Sequence, residues 1–242
     1  LSSQSAIYIK SYGNGNIATS SMRGGNASQT AILWNGFNIQ NSMLGQTDLS
    51  IVPGNLFENV SLEYGGGSAL WGSGALGGSI HLQNKLLFDK GVKTKIQTSI
   101  GSFGSKKLGS TILLSYKKIA SSTRVYYSSA KNNYSYKDTT DKEDPNKQVT
   151  HADYSMKGFM QELSFLVNAY QKVNIRAWYN TTNRNLPSYS NFISKQSQQD
   201  ENVRLSADWN YSKRQLNSTI RAAYFNDKLN YNDSLANIYS KS

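Results

Sequence analysis

Beyond residue 90 the chain alternates between apolar and polar residues in long runs. In Val203, Leu205, Ala207, Trp209 and Tyr211 every second position is apolar, while Asn202, Arg204, Ser206, Asp208 and Asn210 take the positions between. Val173, Ile175, Ala177 and Tyr179 repeat the pattern against Asn174, Arg176, Trp178 and Asn180. Leu163, Phe165, Val167 and Ala169 follow it more loosely, as do Leu108, Ser110, Ile112, Leu114 and Tyr116. A period of two puts successive side chains on opposite faces of a strand. The pattern predicts seven antiparallel strands, at 92–102, 105–117, 122–133, 154–169, 172–184, 200–213 and 216–229, with another beginning near Asn237, Ile238 and Tyr239.

Strands of a soluble sandwich alternate too, so length has to arbitrate. Ten residues at ~3.3 Å each, tilted by ~45°, rise about 24 Å, which matches the apolar band of a membrane barrel. Ordinary strands average only about 5–6 residues. Tyr116, Tyr126, Tyr127, Tyr170, Trp178, Tyr179, Trp209 and Tyr211 read as aromatics near strand ends, as in interfacial girdles. The joins after the second, fourth and sixth strands are short (Lys118 to Ser121, Tyr170 to Gln171, Arg214 to Gln215), and those after the third and fifth are long and polar. Short turns on one side and long loops on the other suit an outer-membrane barrel. The short join at Phe103 and Gly104 is the exception.

Residues 1–85 differ. They hold most of the 19 glycines, in short apolar phrases separated by Gly, Asn and Ser. This part reads as a compact, loop-rich domain of short strands and turns, with Ala6 to Lys10 as one strand. Residues 86–242 read as a β-meander.

Composition narrows the class. Charged residues make up 17% of the chain, below the globular average of about 25%, and no stretch approaches the ~20 apolar residues of a membrane helix. A mean hydropathy of −0.55 thus excludes a helical membrane protein but not a barrel, whose strands are apolar at alternate positions only. The absence of cysteine removes disulfides, thiolate chemistry and Cys-ligated zinc. A net charge of +11 raises nucleic-acid binding, but Lys106, Lys107, Lys117, Lys118, Arg176, Arg204, Lys213 and Arg214 are scattered and no helix presents them. Several of them fall at strand ends, where they meet lipid head groups or solvent; no nucleic-acid partner is expected. His81 and His151 are the only histidines, and neither suggests a catalytic arrangement.

Four phrases in the glycine-rich part follow one another in order. Ser21-Met22-Arg23-Gly24-Gly25 comes first, then Ala31-Ile32-Leu33-Trp34-Asn35-Gly36, then Asp48-Leu49-Ser50-Ile51-Val52-Pro53. Last is the run from Gly65 through Ser68, Ala69, Leu70, Trp71, Gly72, Gly77 and Gly78 to Ile80. No Lys-Ser/Thr follows the glycines, so a phosphate loop is excluded, and no βαβ unit surrounds them. The four phrases resemble the plug domain of TonB-dependent outer-membrane receptors, and their wording around Leu33 to Phe37 and Gly65 to Ser68 is similar to receptors of Bacteroidota.

The resemblance implies a transmembrane all-β barrel, here about seven of twenty-two antiparallel strands, preceded by a mixed, loop-rich N-terminal plug. Residues 1–85 would be the later part of the plug and 86–242 the first part of the barrel, with a signal peptide and TonB box expected upstream. It also implies TonB-energised uptake of a scarce, bulky nutrient such as a ferric siderophore or cobalamin. No catalysis and no cofactor are implied. The partners implied are the TonB–ExbB–ExbD complex, outer-membrane lipid and the small-molecule nutrient, in a Gram-negative bacterium.

By the same resemblance, Trp34, Asn35, Phe37, Asn38, Met43 and Gln46 are the ligand-binding candidates. Arg23 and Glu63 are the candidates for plug–barrel charge contacts, since Ser61, Tyr64 and Asn35 stand where the family often has Glu, Arg and Asp. Gly24, Gly36, Gly65, Gly72, Gly77 and Gly78 are expected to be structural. Asp138, Asp141 and Asp144, with Glu143, offer the oxygen ligands that Ca²⁺ takes, as acidic loops in cobalamin receptors do. Their spacing is not that of an EF-hand, and the interspersed Lys137, Lys142 and Lys147 favour a solvated loop. Two rival readings are a passive outer-membrane porin or adhesin, which needs no plug, and a soluble β-rich carbohydrate-binding module or hydrolase, whose apolar stripe faces a core.

Overall fold

The computed structural model describes residues 5, 7–41, 43–139, 142–143, 145–187, 195–234 and 238–241. Two compact units divide the chain, Leu1–Lys85 and Leu86–Ser242. In the first, β1 (Ile7–Ser11) pairs antiparallel with β2 (Ala18–Met22); Ala6 lies outside the described residues. A separate four-stranded sheet has the order β4 (Phe37–Asn38), β3 (Thr30–Trp34), β6 (Gly78–Gln83), β5 (Asn59–Tyr64). A single helical turn, α1 (Ser68–Trp71), precedes β6.

β3 and β6 run parallel, with Thr30 opposite Gly78 and Trp34 opposite Leu82. A parallel pair is covered on both faces, which explains why Ala31, Ile32, Leu33 and Trp34 form an unbroken apolar run and are all fully buried. Trp71 packs against the core formed by Ala31, Leu33 and Ala75. The β3–β4 hairpin closes through Asn35 (φ 50°) and Gly36 (φ 85°). Two central residues at positive φ are what a type I′ turn needs, and Asn-Gly is its preferred pair.

The second unit is a meander of β7 (Gly91–Gly101), β8 (Ser105–Ser115), β9 (Ile119–Ala130), β12 (Tyr154–Asn168), β13 (Gln171–Leu186), β14 (Gln196–Lys213), β15 (Leu216–Asp233) and β16 (Ile238–Lys241), each hydrogen-bonded to the next. Between β9 and β12 the chain leaves the sheet and forms a small hairpin, β10 (Ser135–Lys137) with β11 (Asn146–Gln148). All seven expected strands are present. Their ends differ: β9 begins at Ile119, so Ile119, Ala120 and Ser121 belong to the strand and not to the turn. β14 and β15 extend to pair Gln196 with Asp233. Eighteen residues at ~3.4 Å, tilted by ~45°, span about 43 Å, well beyond a ~25 Å apolar band. The extra length is polar on both faces, so alternation could not mark it.

The two faces of this sheet are inverted relative to a water-soluble one. On β9, β12, β13 and β14 the polar set is buried: Ser122, Arg124, Glu162, Ser164, Asn174, Asn180, Asn202, Arg204 and Ser206. The apolar set faces outward, with Ile175 47% and Leu205 45% exposed. Register lines these outward residues up in rows. Ile119, Phe165, Val173, Trp209 and Ile220 stand opposite one another across five strands, and Val125, Phe159, Tyr179 and Val203 across four. A continuous apolar surface on this scale belongs against lipid. Tyr126 (5% exposed) and Trp178 (1%) lie on the buried face, which corrects their reading as girdle aromatics; strand phase, not distance from the strand end, decides it. Arg176 and Arg204 likewise sit within strands and not at their ends.

Candidate functional site: the plug turns and the charged face of the sheet

In the first unit the four phrases of the glycine-rich part converge. Gly25 N–H donates to Met22 O (2.8 Å) and Gly77 N–H to Gln29 O (2.8 Å). Asp48 Oδ1 accepts from Ala18 N–H and Ser50 N–H, each at 2.9 Å, and so ties the third phrase to β2. A Cβ on Gly77 would meet the carbonyl oxygens of Met22 and Gln29 at 3.2 Å. Gly24, Gly36, Gly65, Gly72 and Gly78 take positive φ; Gly77 serves close approach alone.

One polar cluster was not read from the sequence. Glu63 Oε2 accepts from Trp71 Nε1 (2.8 Å) and Ser79 Oγ (3.3 Å) and lies 3.0 Å from His81 Nε2. Trp71 meets the His81 ring edge-on at 5.1 Å between centroids. The indole donor first, with the imidazole and the hydroxyl adding to it, holds the Glu63 carboxyl below its ordinary range against the opposing effect of desolvation. The β5–β6 register creates the cluster by placing Glu63 opposite Ser79, two residues from His81. Ser79 Oγ is also 2.8 Å from His81 Nε2. Hydroxyl and carboxylate thus share one ring nitrogen, whereas a nucleophile–base–orienter relay uses both. The Arg23 guanidinium, on a backbone at φ 50°, lies 5.5 Å from the Tyr64 ring centroid.

The ligand candidates separate. Trp34 is a core residue. Asn35 is half-buried, its N–H on Leu82 O (3.1 Å). Phe37 is half-buried, and Asn38 exchanges hydrogen bonds with Gln40, Nδ2 to Oε1 at 2.8 Å and Gln40 N–H to Oδ1 at 2.9 Å. Met43 (51% exposed) and the neighbouring Leu44 (49%) project from a tight loop. Asn41 builds that loop, which the sequence reading overlooked. Its Oδ1 accepts from the N–H groups of Met43 (2.9 Å) and Leu44 (3.0 Å), and its N–H donates to Gln46 O (3.2 Å). The Asn-x-x-Leu spacing of an Asx turn is the signal that finds it.

In the second unit the buried polar face carries a ladder of ions. Arg124 on β9 pairs with Glu162 on β12, Arg176 Nε on β13 lies 3.9 Å from Glu162 Oε1, and Arg176 pairs with Asp208 on β14. Asn174 and Asn210 also donate to Asp208. A second set follows, with Arg184 3.6 Å from Asp200 and Arg204 3.1 Å from Asp227, the Arg204 guanidinium lying 4.6 Å from the Trp178 ring centroid. Alternating signs let each desolvated charge see a partner. Asp138 lies 4.0 Å from Lys147 Nζ. Asp141 and Asp144 lie outside the described residues, and among the described residues no group of acids or histidines is placed to hold a metal.

The first 79 residues match the family model of the TonB-dependent Receptor Plug Domain. This part of the chain is a TonB-dependent receptor plug domain. The fold of solved receptors agrees across both units. The siderophore receptor PiuA from Acinetobacter baumannii superposes with a TM-score of 0.66 at 17% identity, over 93% of this chain and 33% of that one. The ferripyoverdine receptor of Pseudomonas aeruginosa gives 0.70 at 14%, over 94% and 31%. The copper transporter OprC gives 0.69 at 13%, over 93% and 34%. A search of curated protein sequences finds no match. The chain therefore spans about a third of the length of the structures it resembles and shares their fold, a plug domain followed by an antiparallel barrel sheet.

Proposed function

We propose that this receptor takes up a scarce, bulky nutrient across the outer membrane, energised through TonB, and that the nutrient is a ferric siderophore in preference to a cobalamin. The observation that carries the reading is the presence, in one chain, of a plug domain and an inverted sheet with its charges buried and its apolar rows exposed. A passive pore has no use for a plug. The siderophore class is supported by likeness to receptors described as binding siderophores and ferripyoverdine. Within the plug, Met43, with Leu44 beside it, is the strongest contact candidate, and Phe37, Asn38, Asn35 and Gln46 flank that loop. The proposed partner on the other side is the TonB–ExbB–ExbD complex, and no resident cofactor or calcium is assigned.

The test is uptake by the full receptor in a host stripped of its own siderophore receptors. Labelled ferric siderophores and labelled cobalamin are compared in hosts with and without TonB. Accumulation of a siderophore that stops when TonB is deleted supports the reading. Cobalamin uptake alone changes the substrate class. Uptake that persists without TonB indicates a passive pore.

A further inference from the structure

The two ends of the eight-stranded sheet carry different charge. The short turns at 116–118, 169–170 and 214–215 lie at one end and are held side by side, Leu166 N–H donating to Lys118 O and Ser212 N–H to Tyr170 O, each at 2.8 Å. The segment that enters β7 reaches the same end, where Asp89 N–H donates to Tyr116 O (3.1 Å) and Lys90 N–H to Ser115 Oγ (3.1 Å). Lys90, Lys117, Lys118, Lys172, Lys213 and Arg214 gather here, with Asp89 as the acid among them. All but Lys172 are exposed. The opposite end is mixed, with Lys106, Lys107, Lys131, Lys147 and Lys228 standing among Asp138, Asp153, Glu201 and Asp233.

The layers along the outward face are ordered. Beyond the bases come tyrosines, Tyr116 63% and Tyr170 47% exposed, with Lys213 Nζ 4.9 Å from the Tyr170 ring centroid. Next comes Tyr211, and then the apolar row through Ile119, Phe165, Val173 and Trp209, where the Trp209 ring stacks on Tyr211 at 6.1 Å between centroids. Cation, aromatic and aliphatic in that order match head group, interface and acyl chain in one leaflet. Flexible lysine stems let the charges rise to the phosphate plane while their methylenes stay on apolar surface.

We propose that this basic collar is a binding surface for anionic phospholipid head groups of the leaflet on the short-turn side. Each base near an anionic lipid surface adds attraction, and the collar concentrates them where a single acid opposes. It holds a ring of phosphates against the turns and fixes the depth of this part of the barrel.

The experiment uses the full receptor in detergent, titrated separately with phosphatidylglycerol, phosphatidylcholine and lipopolysaccharide, with bound lipid counted by native mass spectrometry. The variant carries Lys117→Gln, Lys118→Gln, Lys213→Gln and Arg214→Gln, all in exposed turns. Wild type is expected to prefer phosphatidylglycerol over phosphatidylcholine by at least about tenfold, falling toward parity in the variant. Should the quadruple variant not assemble, the two double variants (117/118 and 213/214) each lose part of the preference. No preference in wild type overturns the proposal, as does a preference unchanged in the variants. A variant that loses lipopolysaccharide alone also overturns it, since that lipid belongs to the other leaflet.

Discussion

A Cβ built on Gly78 would stand 2.6 Å from Glu63 O and 2.6 Å from Met22 Sδ, on a backbone at φ 147°. Side chains other than glycine's neither fit nor favour that conformation. Gly78→Ala is therefore expected to lower plug stability by about 1–3 kcal/mol, read from the plug's calorimetric transition in the full receptor; an unshifted transition would contradict the close approach. Glu63 gives a pH dependence. Its carboxyl is held below the unfolded value, first by the Trp71 indole, so its stabilisation is complete above the unfolded pKa of about 4.3 and is lost as pH falls through the lower folded pKa. Glu63→Gln should flatten the acid limb of the plug's melting profile. An acid limb identical in both proteins would remove Glu63 as its source. The four phrases of residues 21–80 were legible as motifs, but the Glu63–His81 cluster was not, because it exists only once β5 and β6 are in register.

At the scale of strands, ions on the buried face and aliphatics on the other follow opposite rules. Glu162 stands between Arg124 and Arg176. Glu162→Gln leaves two buried guanidinium groups with one partner fewer, at a cost of about 3–5 kcal/mol, whereas Arg124→Met with Glu162→Leu should cost less than the two single changes summed. The loss is measurable as a lower temperature of heat-induced mobility change on gels; strict additivity would mean that the pair is not coupled. On the outward face, Leu163→Arg should cost about 2–4 kcal/mol if it lies near the bilayer midplane, and folding into lipid vesicles with denaturant titration measures it. Equal stability with Arg there would contradict a lipid-facing row. Alternation revealed every strand of the meander up to β15. It missed the β10–β11 hairpin and the polar ends of β14 and β15, where neither face meets lipid and no contrast is left to read.

For the whole molecule, a sheet with exposed aliphatic rows and unpaired outer strands calls for lipid and further strands. The chain of 242 residues is expected to aggregate in water and to enter solution only with detergent; a soluble monomer with a cooperative melt would argue for the carbohydrate-module reading. The sequence by itself determined that residues 1–85 form a glycine-rich unit of short strands and turns and that the rest is a two-faced meander, because turn glycines and a period of two are local signals. Alternation is symmetric, however, and cannot say which face is buried. Only the tertiary structure showed Asn, Arg and Glu turned to the buried side, with Trp178 and Tyr126 among them, and showed Trp34 fully buried. It also gathered lysines far apart in the chain into one collar, since strand register, set by hydrogen bonds across the sheet, brings such positions together.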